Sequence, residues 1–128
     1  MHRLEYDAVK SRSFSYKDLD FRLFVETTSD WIWTISKDGK ITFSNPSVEN
    51  MLGYKPEEVL GHDFRSFIAE KHREKVYEFF NEHVANYEGW TGGVTQWTHK
   101  NGGLKWLESS AKPILDKEGN LIGFRCRS

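Results

Sequence analysis

The stretch from Trp31 to Gly61 restricts the fold more than any other part of the chain, because its apolar period changes twice along its length. Trp31, Trp33 and Ile35 fall on alternate positions, the mark of a half-buried strand. Asp38-Gly39 follows and supplies the positive φ angles that a tight hairpin turn needs. Ile41 and Phe43 then resume the alternation. At Ser44-Asn45-Pro46 the strand stops: Asn45 reads as a helix N-cap and Pro46 as the first helical residue. Val48, Met51 and Leu52 recur at helical spacing, with Gly53 where a C-cap glycine belongs. A second short helix is framed by Pro56 and Gly61, and Glu57-Glu58 at its start complements the helix dipole. The spacing predicts a hairpin followed by two short helices.

The flanking segments extend this pattern. Ser15 and Asp18 resemble a capping box, opening a helix over Tyr16 to Thr27 that carries Leu23, Phe24 and Val25 toward a sheet. Residues 1–15 are read as an N-terminal extension. After the short link at His62 to Ile68, the segment Ala69 to Asn86 places Val76, Phe79, Phe80, His83, Val84 and Tyr87 on one helical face. Glu74, Lys75, Glu78, Asn81 and Glu82 fill the other side. Three strands are expected next, over Gly93 to His99, Leu104 to Leu115 and Leu121 to Cys126, with turns at Asn101-Gly102-Gly103 and Glu118-Gly119-Asn120. These elements make an α+β domain with a five-stranded antiparallel sheet and helices on one face.

Composition removes several functional classes. A chain of 128 residues is one domain on length, and 15% aromatic content predicts a core of few, large side chains. A net charge of −1 argues against a nucleic-acid surface. The single cysteine, Cys126, allows no internal disulfide and fits a reducing compartment. No apolar run approaches membrane-spanning length, so the segment is expected to be soluble, without membrane contact, and cytoplasmic. His2, His62, His72, His83 and His99 form no i, i+4 pair and no metal-ligand cluster. His83, on the apolar face of the long helix, reads as a hydrogen-bonded core residue. Neither a phosphate-binding glycine loop nor an activated nucleophile is present, and no catalytic residue is assigned.

The order of these features resembles a PAS domain, the small sensory module of signalling proteins. The resemblance rests on Asp38-Gly39, Asn45, Gly53-Tyr54, the run from Pro56 to Gly61, Lys100 to Gly103, Trp106, Pro113 to Asp116 and Glu118 to Asn120. It spans about Phe21 to Phe124, within a single domain over 16–128. The resemblance implies a PAS fold with short helices and one long connecting helix on one face of the sheet. Its cavity would lie between the sheet and the short helices, lined by Trp33, Asn45, Met51, Leu52, Phe64 and Phe67. Phe80, Trp97 and Trp106 would complete the apolar wall, with Thr95 and Ser110 joining Asn45 as polar groups. Such a pocket suits a small uncharged or aromatic ligand. The alternative is that these aromatics fill the core and the module works through dimerisation or partner docking.

The resemblance further implies dimerisation through the N-terminal helix and an output domain in the same parent chain, commonly a histidine kinase or diguanylate cyclase. The closing Asp-Ile/Val-Thr motif of the family is not reached, so the output is expected beyond Ser128. Haem-binding members ligate iron through a histidine that aligns nearer Val76, between His72 and His83, which argues against haem. Flavin-binding light sensors carry Gly-x-Asn-Cys-Arg-Phe after the second short helix. Here the segment is Gly61 to Arg65, with Asp63 for the asparagine and Phe64 for the cysteine, which argues against flavin photochemistry. A cone-shaped barrel of small isomerases is a competing fold, but it places its long helices first and an acid inside the sheet.

Overall fold

Alternating segments pair into one antiparallel sheet, and the helical segments fall between them. The computed structural model describes residues 16–128, with side chains from Leu19 onward. Ser15, the Asp18 side chain and the extension lie outside what the structure describes. Helix α1 (Tyr16–Thr27) leads into strands β1 (Ile32–Ser36) and β2 (Ile41–Ser44). Short helices α2 (Val48–Leu52) and α3 (Pro56–Val59) follow, then a 3-10 turn at Phe64–Phe67 and the long helix α4 (Glu70–Asn86). Strands β3 (Trp90–Thr98), β4 (Leu104–Leu115) and β5 (Leu121–Arg127) complete the sheet in the order β2-β1-β5-β4-β3. This is the expected α+β architecture.

The predicted hairpin forms at Gly39, whose φ of 89° requires glycine. A Cβ there would also sit 2.6 Å from the Arg65 guanidinium, so the turn is pressed against that side chain. Strand β3 begins at Trp90, earlier than the expected Gly93. Gly92-Gly93 interrupts the pattern as a chain break would, but the pair is a bulge between Trp90 and Gly93, with Gly92 at φ 67°.

Register divides the sheet into two faces. Ser44, Trp33, Cys126, Ala111 and Trp90 form one inner row across all five strands. Ile32, Arg127 and Ser110 form an outer row, and Thr34, Arg125 and Lys112 form the next. The core lies on the inner side, where Trp31, Trp33, Ile35, Val48, Leu52 and Phe80 are all fully buried.

Helix α1 was expected to turn Leu23, Phe24 and Val25 toward the sheet. Only Val25 is buried; Phe24 is 47% exposed and Leu23 39%. The helix stands off the outer face, where Phe21, Phe24 and Val25 face Ile32, Lys112 and Arg125 across a gap. Its C-terminal end is held instead by Asn45. The Asn45 Nδ2 donates to the carbonyls of Val25 (2.8 Å) and Asp30 (2.9 Å), and its Oδ1 accepts from the Ile32 amide (3.0 Å). The N-cap reading of Asn45 is therefore corrected. Helix α2 starts two residues later behind Ser47, because the carboxamide is committed to joining β1, β2 and α1.

Asn45 is 1% exposed, so its truncation strands buried donors and acceptors. Asn45→Ala is expected to lower stability by about 2–4 kcal/mol. Hydrogen exchange should show the largest loss of protection at the α1–β1 junction. Loss spread evenly over the sheet would count against the clamp.

Candidate functional site

The inner face is floored by aromatic rings in contact. Trp31 and Trp33 lie two residues apart on β1, so their side chains share one face, and their rings stack at 4.3 Å and 9°. Trp97 of β3 meets both edge-on, at 5.4 and 5.6 Å. The series continues through Phe64 (5.9 Å from Trp33), Phe80 (5.2 Å from Phe64) and Phe124 (5.7 Å from Phe80). The indole N–H groups of the stacked pair are satisfied: Trp31 donates to the Ser44 hydroxyl and Trp33 to that of Ser128.

The start of α4 is tied to the edge of β3 by an Ala69 N–H to Gln96 carbonyl bond (2.9 Å) and an Ile68–Trp97 bridge. Farther along, Phe79 touches Trp90 edge-on at 5.4 Å. Between these contacts helix and strand leave a cleft of about 320 Å³, within the size range of small-ligand sites. Its walls include Val76 and Phe79 of α4 and Trp90, Val94 and Thr95 of β3. Trp33, Phe64, Phe80 and Trp97 form its floor. The apolar face expected on the long helix is thus only partly covered: Phe80 is buried, whereas Phe79 is 41% exposed along the cleft.

Of the residues expected to line a pocket, Trp33, Phe64, Phe80, Thr95, Trp97 and Trp106 come together here. Trp106 stands at the rim, its ring 5.7 Å from that of His72. Met51 and Phe67 pack against the core cluster and Leu52 lies within it, and none of the three lines the cleft. Asn45 is spent on its backbone clamp. Ser110 is corrected: it pairs with Arg127 in an outer row and lines the space under α1. Strand alternation sends it to the opposite face from Ala111.

Sequence reading missed His72, Lys75 and Trp90 as lining groups. His72 Nε2 is buried without a hydrogen-bond partner, a polar atom set in a mostly apolar wall. The helical period places His72 one turn before Val76, which is the signal that would have found it. His83 keeps the expected hydrogen bond, to the Phe79 carbonyl through Nδ1 (2.7 Å), but it is corrected from a core residue to a half-buried one that stacks on the Phe79 ring outside the core cluster.

Behind the floor, Arg65 is buried against the rings of Tyr77, Phe80 and Phe64, nearest Tyr77 at 4.3 Å. It forms a bidentate pair with Asp63 (2.8 and 2.7 Å) and donates to the Asp38 carbonyl (2.7 Å). Burial pushes the Asp63 carboxyl up, but the hydrogen bonds and charge of Arg65 outweigh it and hold the group below its usual range. The hydrogen bonds that Arg65 donates to Asp63 raise the guanidinium correspondingly. Burial alone pushes the Cys126 thiol far up, so it packs as a neutral apolar group. Among the described residues no cluster of potential metal ligands occurs, and no helix is long and apolar enough to cross a membrane.

The sheet order, the helix sequence and the inner-face cleft meet a match to the PAS fold over residues 19–127. The chain belongs to the PAS family. It is similar to the biofilm dispersion protein BdlA of Pseudomonas aeruginosa, 30% identical over 86 residues, covering 66% of this chain and 20% of that protein. The bacterioopsin transcriptional activator of Halobacterium salinarum is 30% identical over 89 residues, 66% of this chain and 13% of that protein. The chain thus spans a fifth or less of these curated relatives. The PAS domain of a protein from Colwellia psychrerythraea has the same fold, with TM-score 0.75 and 24% identity over 85% of this chain and 92% of that one. This is a PAS sensory domain with homologues in signalling proteins, and PAS domains are in general sensory, non-catalytic modules.

Because its folded pKa is depressed, Asp63 adds stability above its ordinary value of 3.8, and that contribution is lost as pH falls through the folded value. Asp63→Asn leaves Arg65 without its counter-charge and is expected to cost about 1–3 kcal/mol at neutral pH. Its stability should also fall less steeply than that of the parent below pH 3.8. Parallel acid-unfolding curves for the two proteins would contradict this.

Proposed function

We propose that this PAS domain takes up a small, uncharged, planar aromatic molecule in the cleft between α4 and β3 and passes the change to an output domain in the same parent chain. The observation that carries the reading is an aromatic-floored cleft with one buried, unpartnered imidazole nitrogen at His72. Trp106 at the rim offers a face for stacking, and the unpartnered His72 Nε2 offers a polar contact that fixes orientation, beside Thr95 and Ser109. A ligand shifts such a module only by binding its two conformations unequally. Neither haem nor flavin is needed for this. By the family resemblance, Val76 on the cleft wall aligns nearest the histidine of haem-binding members, and Phe64 aligns with the flavin-reactive cysteine.

The output belongs to the signalling class. Histidine kinases and diguanylate cyclases are the family's common outputs, and the transcriptional activator among the relatives adds a third kind. A cytoplasmic setting is favoured by the lone, reduced and buried Cys126. Nucleic acid and membrane have no part in this reading of the domain.

Native mass spectrometry of the protein as purified, beside the same sample denatured, tests the cleft. A mass increment lost on denaturation is expected, and Val76→Trp, which plugs the wall, should abolish it. A bare mass, with no saturable uptake of naphthol by calorimetry, would defeat the ligand reading.

Exposed Phe21, Leu23 and Phe24 on α1 support a second reading, in which the domain self-associates through that helix. Leu23 does not line the gap under α1, so it is the cleaner probe. Leu23→Glu is expected to weaken self-association in sedimentation; an unchanged profile would remove α1 from the interface.

A further inference from the structure

A second cavity lies on the other side of the sheet. It measures about 650 Å³ and shares no lining residue with the cleft. Phe21, Phe24 and Val25 of α1 and Ile32 of β1 give it an apolar wall. Lys112, Arg125, Arg127, Ser110 and Glu108 give it a polar one. We propose that this cavity binds an organic monoanion of the carboxylate class with an apolar body.

Lys112 and Arg125 are direct cross-strand partners on the outer face, and like charges placed so are destabilising. Among the described residues the carboxylates of Asp63, Glu58 and Asp30 are taken by Arg65, Lys100 and Arg127, and no ion pair reaches Lys112 or Arg125. Two uncompensated cations therefore share the cavity with Glu108. Arg127 is neutralised by Asp30, so among the described residues the lining side chains carry +2 from Lys112 and Arg125 and −1 from Glu108, an excess of one positive charge. One carboxylate balances it.

The apolar half points the same way. Phe21 and Phe24 sit one helical turn apart, 57% and 47% exposed, and they face the sheet rather than solvent alone. A tail inserted between them and Ile32 removes apolar surface from water, while its head reaches the cations and the Ser110 hydroxyl. Val25 and the Asn45 clamp hold the C-terminal end of helix α1 to the fold. An occupant that bridges helix and sheet would seat α1, giving the outer face its own input to that helix.

A dansyl-labelled undecanoate and its primary amide test this in fluorescence titrations on the full chain. The acid is expected to bind one-to-one and about tenfold more tightly than the amide, the difference a charge-assisted contact supplies. Lys112→Ser with Arg125→Ser should erase that preference while near-ultraviolet circular dichroism of the tryptophan cluster stays unchanged. Phe24→Ala should weaken acid and amide alike, and Val76→Trp should leave both unchanged. No binding, equal affinity for acid and amide, or a preference that survives the double variant each overturns the proposal. Binding abolished by Val76→Trp overturns it too, by placing the probe in the inner cleft. None of these outcomes depends on whether the cleft has a ligand.

Discussion

The contact between Trp97 and the stacked Trp31–Trp33 pair sets the shape of the inner face. Strands β1 and β3 are separated by β5 and β4, three strand spacings or roughly 14 Å in a flat sheet. Yet the Trp33 and Trp97 rings meet at 5.6 Å. Large side chains reaching inward from a curled sheet close that distance, and smaller residues would leave the interior open. Each such aromatic pair adds about 0.5–1.5 kcal/mol beyond the area it buries. The cluster therefore fixes curvature as well as filling space.

That filling determines where space remains. The interior beneath the short helices is occupied by Leu52, Phe64 and their neighbours, so free volume is displaced to the edge, where α4 meets β3. Arg65 helps to hold it there. Anchored by Asp63 and the Asp38 carbonyl, its guanidinium backs Phe64 and Phe80. It thus connects the β1–β2 hairpin turn to the cleft floor through one buried side chain. Such a strut is stiff because its charge has partners only in one geometry.

Local features were legible in the sequence, and features set by distant contacts were not. A capping pattern gave the bounds of α1, and alternation with turn residues gave those of β4 and the Asp38-Gly39 hairpin, since each depends on neighbouring residues alone. The role of Asn45 was hidden because its partners are the carbonyls of Val25 and Asp30 and the amide of Ile32, none of them local. The face of α4 could be read from its period, but how closely another element covers that face cannot. Phe79 and Phe80 are adjacent and equally apolar, yet one lines an open cleft and the other is buried. Ser110 is a different case: alternation already separated it from Ala111, and grouping residues by polarity overrode that parity.

The two cavities share strand β4 at consecutive residues, and this restricts how they can communicate. Ser109 lines the inner cleft and Ser110 the outer cavity. A one-residue slip of β4 would exchange the two faces and bury Lys112 in the core, so sliding is excluded as a relay. The strand can instead change twist or tilt, carrying Ser109 and Ser110 together while its ladder to β5 stays paired. Such a movement alters the width of the cleft against α4 and the gap beneath α1 at once. The aromatic cluster resists it on the β1 side, whereas the contacts of α1 with the sheet include Val25 and the Asn45 carboxamide. Under the proposed reading, a displacement entering through the cleft would therefore reach the gap beneath α1 as well as strand β5.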